Sequence, residues 1–221
     1  MENFENLLIS LPVLIFSVVC HEVAHGWVAR REGDNTAYML GRITLNPVPH
    51  LDPVGSILVP GMLAFLGSGF LFGWARPVPV NPRNFHNYRR GDIRVSLAGV
   101  VVNLILAVIF SLLLLLTYLV WQVTPELAST WRLVERMFFF GVGINLILAF
   151  FNLIPIPPLD GSHVLYHFLP PGMGMRLRDL SRYGMIPVIA FLFLGGFRLI
   201  QYPVGMIMAV LVGIARGIAG V

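Results

Sequence analysis

Long apolar windows separated by short polar stretches dominate the chain, at about 7–29, 54–74, 95–121, 136–156, 185–200 and 203–219. A bilayer core about 30 Å thick takes about 20 helical residues, so the first, third and fourth windows predict spanning helices. The last two are shorter and joined only by Gln201, Tyr202 and Pro203, which predicts a tight helical hairpin. The second window holds Pro60, Gly61, Gly67 and Gly69 and makes a poor continuous helix. The pattern predicts an all-α polytopic membrane protein with about five to six transmembrane helices and short extended segments in the cytoplasmic loops. No internal repeat or soluble module interrupts it, so residues 1–221 are expected to form one integral membrane domain.

Composition agrees with this class: 57% of residues are hydrophobic and only 12% charged, against about 25% charged in soluble domains. The net charge of +4 comes from fifteen basic residues, all arginine. They cluster between apolar runs, where they act as topology signals and call for no nucleic-acid partner. The single Cys20 excludes an internal disulfide, and its place beside His21 suits a small packing residue better than a soft metal ligand. With Glu2 and Glu5 and no basic residue ahead of the first apolar run, no cleavable signal is expected.

Arginine placement sets the orientation. Arg76, Arg83, Arg89, Arg90 and Arg94 follow the second window, and Arg176, Arg178 and Arg182 follow the fourth, so both stretches are expected in the cytoplasm. Arg30 and Arg31 then mark the cytoplasmic end of the first helix. If residues 30–53 and 74–94 share one side, the window between them cannot cross once. A re-entrant hairpin over 54–74, turning near Leu66–Phe70, resolves the parity, and such backbone is tolerated only against protein or a water-filled cavity.

Three costly side chains sit inside the first apolar run: His21, Glu22 and His25. Ionisable groups at bilayer depth mark function by default. Imidazoles at i and i+4 lie one turn apart on one helix face and can reach one metal ion. Glu22 flanks that face and can take a proton from water, as in His-Glu-x-x-His metalloproteases. His25 lies about 7 Å inside Arg30 at 1.5 Å per residue, below the membrane surface yet within reach of cytosolic water. A third ligand is needed. The candidate is Asp160, in the stretch Asn152–Gly161, where Pro155, Pro157 and Pro158 forbid an ordinary helix. The fourth window descends toward the cytoplasm and carries Asp160 to the side of His21 and His25. On the dipeptide alone, Asp160-Gly161 also reads as a turn.

The chain here resembles the site-2 proteases, the intramembrane zinc metalloproteases. The resemblance rests on His21-Glu22-x-x-His25 and on Asn152-x-x-Pro155 leading to Asp160-Gly161. It extends through Gly41-Arg42-Ile43-Thr44-Leu45-Asn46-Pro47, His50-x-Asp52-Pro53-x-Gly55 and Phe72-Gly73-Trp74-Ala75-Arg76-Pro77-Val78-Pro79-Val80-Asn81-Pro82-Arg83. Together these cover residues 17–165, and they look like the minimal prokaryotic branch without a PDZ insert or a nucleotide-sensing domain. One departure stands in the central helix, Ala98-Gly99-Val100 through Asn103, where the family often places a proline after the glycine.

The resemblance implies Zn2+ held by His21, His25 and Asp160, with Glu22 as general base and acid. It also implies Asn152 as the amide that holds the substrate carbonyl or oxyanion, a role open to a neutral donor that does not compete for zinc. The alternative for Asn152 is a hydrogen bond at a helix end. The implied function is hydrolysis of transmembrane segments of protein substrates among membrane lipids, in the cell membrane with the site toward the cytoplasm. The rival from the same ligands is a metal-binding membrane protein or metal transporter. His163 and His167, with Asp160, form a conceivable second metal face, though packing suits them better. His50 with Asp52 fits either a ligand-orienting pair or a turn before Pro53. Met173, Met175 and Met185 read as packing or lipid contacts.

Overall fold

The computed structural model describes residues 2–65 and 75–220. Its helices are α1 (Glu2–Arg31), α2 (Thr36–Met39), α3 (Val59–Phe65), α4 (Tyr88–Val123), α5 (Ala128–Asn152), α6 (Asp160–Tyr166), α7 (Pro171–Asp179), α8 (Ile186–Phe191) and α9 (Phe197–Ala219). Among the described residues, four helical segments are long and apolar enough to cross a membrane: Leu8–Arg31, Tyr88–Val123, Pro125–Asn152 and Ile186–Ala219. The all-α polytopic class therefore holds, and among the described residues there is no strand. The loop over 75–81 runs without regular structure, as Pro77 and Pro79 cannot donate to a ladder.

The hairpin expected at Gln201–Pro203 does not form. Helix α9 runs through Pro203, because a single lost backbone bond is tolerated within a membrane bundle. The chain kinks instead at Gly195, whose φ of 91° lies in a region open to glycine and costly for other residues. Of the expected re-entrant window, residues 53–58 form a π-helical turn capped by Asp52, and α3 follows. The expected turn at Leu66–Phe70 lies outside the described residues.

Helix α4 is the central post. It carries Leu106, Ala107 and Phe110 into a core shared with Val13 of α1, Val142 and Leu146 of α5, Val188 of α8, and Ile200 and Val204 of α9. Val101, Ile105, Leu112 and Leu116 lie exposed on α4, as a lipid-facing side should. Lipid tails are as apolar as the core, so helix association depends on close packing at small residues and on polar contacts. Gly141 of α5 shows this: a Cβ there would come within 2.5 Å of the Phe110 ring.

The connection after α1 is tied down by buried polar groups. Asp34 is fully buried and accepts from Thr36 N and Oγ1, Asn81 N and Asn84 Nδ2 at 2.5–3.1 Å. Burial alone would push its carboxyl up, but these hydrogen bonds outweigh burial and hold it below its ordinary value. The loop over 75–81 is thereby fixed beside the end of α1.

Candidate metal centre

His21 and His25 lie in the C-terminal half of α1, 6% and 9% exposed. Their Nε2 atoms are 3.0 Å apart. Asp160, the first residue of α6, brings its Oδ2 to 3.2 Å from His21 Nε2 and 3.4 Å from His25 Nε2. The sequence placed these residues 135 positions apart, counted from His25 to Asp160; the fold closes that gap by laying α6 against α4 and under the end of α5. Gly161 permits the approach, since a Cβ there would meet Leu153 O at 2.2 Å.

Helix α4 supplies the matching surface. Val95, Gly99 and Asn103 are spaced four residues apart, one turn each, on the face turned to α1. Val95 O lies 2.7 Å from His25 Nδ1, and Asn103 Oδ1 lies 2.6 Å from His21 Nδ1. Between them the His21 ring rests on Gly99, where a Cβ would come within 2.4 Å of His21 Cε1. A carbonyl only accepts, so His25 carries its proton on Nδ1 and points a lone pair from Nε2 into the site.

This donor set fits a metal cation. Asp160 Oδ2 is buried and, among the described residues, receives no hydrogen bond. Two imidazole nitrogens and this oxygen converge with nothing but negative or electron-rich atoms facing one another, which a cation relieves. The three form a group whose ligand atoms lie within 4.8 Å of each other. Tetrahedral zinc with ligands at about 2.0–2.1 Å requires ligand atoms about 3.3 Å apart, close to the edges of this triangle. Burial would push the Asp160 carboxyl up, but the adjacent His25 and His21 outweigh it and hold it well below the usual carboxylate range, as suits a ligand.

Glu22 follows His21 on α1 and is half-buried. Its Oε2 accepts the backbone N–H of Val78 at 2.7 Å. Asn152 closes α5, and its Nδ2 donates to Leu148 O at 3.0 Å within the same helix; among the described residues it makes no hydrogen bond to His21, Glu22, His25 or Asp160. The rival metal face is divided: Asp160 turns to α1, while His167 Nε2 and His163 Nδ1 contact Asp92 of α4 at 2.7 and 3.4 Å. His50 is buried with Nε2 3.0 Å from Thr44 O, and Asp52 accepts from Val54 N and Gly55 N, a loop-building role. Cys20 packs against the main core.

Sequence reasoning passed over Asp92 and Asn145, and met Gly99 and Asn103 only as parts of a motif. Polar residues inside apolar windows were the available signal for Asn103 and Asn145. Gly99 gave none, because its role depends on which ring lies against it.

Residues 119–196 match the family model described as Peptidase family M50. YwhC of Bacillus subtilis (strain 168), named as a candidate zinc metalloprotease, is 43% identical over 173 residues, 78% of this chain and 74% of that protein. Rip2 of Mycolicibacterium smegmatis, named in the same way, is 33% identical over 178 residues, 80% of this chain; the chain spans only 64% of its length. A shorter match, 39% over 72 residues, joins 33% of the chain to 32% of MJ0611 of Methanocaldococcus jannaschii, again named as a candidate zinc metalloprotease. No solved structure gives a significant match. With paired imidazoles and a carboxylate at one point, and a relative of this identity and coverage, the chain belongs to peptidase family M50, the site-2 protease family of intramembrane zinc metalloproteases.

Proposed function

We propose that the chain cleaves transmembrane segments of other proteins at a site open to the cytoplasmic side of the cell membrane, with His21, His25 and Asp160 as zinc ligands and Glu22 as the proton carrier. The observation that carries this is the convergence of His21 Nε2, His25 Nε2 and Asp160 Oδ2 on one point beside the Glu22 carboxylate. When bound, zinc supplies a Lewis acid that makes water a nucleophile near neutral pH and polarises a carbonyl.

The chain's own groups do the rest. Glu22 accepts the proton of the attacking water as its oxygen bonds to the scissile carbonyl carbon, then delivers that proton to the departing amine as the C–N bond breaks. Asn152, at the end of α5, offers an amide to the developing oxyanion; for this its side chain turns from Leu148 O. The buried walls of α1, α4 and α5 keep bulk water from the reacting atoms.

Orientation follows from the arginines. The connections after α1 and after α5 both reach the site, and both adjoin arginine clusters, which favours the cytoplasm for that end. A substrate helix hides its carbonyls in internal hydrogen bonds, so it has to unwind before hydrolysis. Segments with Gly, Pro, Asn or Ser near the cleavage point are therefore the expected substrates.

Purified wild-type chain and Glu22→Gln, assayed on tagged single-span substrates, test the reading. The wild type is expected to cut, and the variant to retain zinc and lose at least about a hundredfold in rate. Equal cleavage by both would overturn the assignment of Glu22.

A further inference from the structure

We propose that Asn103, oriented by Asn145 and Ser17, is a positioning residue that keeps the proton of His21 on Nδ1 and so turns its Nε2 lone pair toward zinc. The proposal rests on the zinc reading above. Asn103, Asn145 and Ser17 are each fully buried, on α4, α5 and α1, at a depth where polar side chains are expensive.

Their hydrogen bonds run in one direction only. Ser17 Oγ donates to Val13 O at 2.8 Å, so its oxygen is left to accept. Asn145 Nδ2 donates to Ser17 Oγ and to Gly141 O, both at 2.9 Å. Both protons of that amide are thus committed, one of them to a main-chain carbonyl that can never donate. Asn145 Oδ1 must therefore be the atom facing Asn103, and it accepts from Asn103 Nδ2 at 2.8 Å. Asn103 Nδ2 also points to Ser17 O at 3.5 Å.

With its nitrogen held in this way, Asn103 turns Oδ1 to His21 Nδ1, 2.6 Å away. An amide oxygen only accepts, so the His21 proton sits on Nδ1 and the metal-facing nitrogen is Nε2. The same end is reached for His25 by Val95 O, a main-chain carbonyl whose direction needs no support. Asn103 is a side chain whose two ends differ only by orientation. Without Asn145 it could flip and offer N–H to the ring, favouring the tautomer that turns a proton toward the metal. Two anchored carbonyls, Val13 O of α1 and Gly141 O of α5, therefore set the tautomer of His21.

Such partners behind a metal ligand are worth about 10–100-fold in metal affinity. The test is a competition titration with a chromophoric zinc chelator on the full chain in detergent, with thermal unfolding of the same zinc-free samples. Wild type is expected to bind zinc, and Asn103→Leu and Asn145→Leu to bind it about 10–100-fold more weakly. Asn145 touches no ligand, so its variant reads the proposal if Asn103→Leu fails to fold. Asn103→Asp keeps an acceptor for Nδ1–H and is expected to bind zinc within about threefold of wild type, even where it unfolds earlier, because carboxylate–histidine–zinc arrangements serve the same purpose. A role as interhelical glue predicts the reverse, with losses following stability. Undiminished zinc affinity in both leucine variants would overturn the proposal, as would an aspartate variant as weak as leucine. Wild type that binds no zinc would instead overturn the functional reading beneath it.

Discussion

The backbone N–H of Val78 donates to Glu22 Oε2 at 2.7 Å, and it is the only backbone donor in the tripeptide Pro77-Val78-Pro79. Prolines on both sides fix φ and hold the segment extended, so this lone N–H is aimed at Glu22 by a stiff support. Neighbouring bonds fasten it: Arg42 donates to Arg76 O and Pro77 O at 2.8 and 3.3 Å, and Asn81 N donates to Asp34. The Val78 side chain packs over Gly26, where a Cβ would lie 3.0 Å from Val78 Cγ1.

Removing that donor should affect rate and spare the metal. Val78→Pro deletes the N–H without opposing the extended backbone; kcat is expected to fall about tenfold or more, with zinc content unchanged. Val78→Ile keeps the donor and should restore the rate. Cleavage kinetics with zinc analysis on both variants check this.

Gly99→Ala should damage the site while favouring the helix. Alanine is about 1 kcal/mol better than glycine within a helix, yet its Cβ would meet His21 Cε1 at 2.4 Å and displace the ring. Zinc affinity is expected to drop about tenfold or more. Gly205→Ala in α9, where a Cβ meets nothing within 4 Å among the described residues, should leave affinity alone and be neutral or slightly stabilising.

Asp34 gives the fold an acid-sensitive joint. Its carboxyl lies below its ordinary value in the folded chain, so it binds a proton more readily unfolded than folded. Its stabilisation is complete above the unfolded value of about 3.9 and is lost as pH falls through the lower folded value. Asp34→Ala should cost about 1–3 kcal/mol by leaving donors from three residues unpaired and should flatten the acid limb. Thermal unfolding from about pH 3 to 7 compares the two.

Asp92 ties α6 to α4 through His163 and His167, and α6 carries Asp160. Asp92→Ala leaves two imidazoles without their shared carboxylate, His167 among the well-buried side chains. The expected outcome is a loss of about 1–3 kcal/mol in stability with weakened zinc retention, read by unfolding and metal analysis.

Much of the candidate site was legible because its chemistry sits where the membrane makes it conspicuous. His21, Glu22 and His25 stand out within an apolar helix, and arginine placement brought Asp160 to the same end. The helical class followed from the apolar windows. The last two windows were misjudged because Pro203 breaks helices more often than Gly195 kinks them, and only the surrounding bundle decides which residue yields. The orienting groups were hidden for another reason. Val78 acts through its backbone, and Gly99 through the absence of a side chain. Asn145 acts through Asn103, which is 42 residues away. Neither Val78 nor Gly99 has a local sequence signature for its role, and Asn145 shows only as a polar residue within an apolar window.

Zinc per chain, measured on the purified wild type, His21→Ala and His163→Ala after dialysis against trace zinc, tests the central claim most directly. A site built from His21, His25 and Asp160 predicts about one zinc, about none and about one, in that order. Zinc retained by His21→Ala and lost by His163→Ala would move the metal to the other end of α6 and contradict the account.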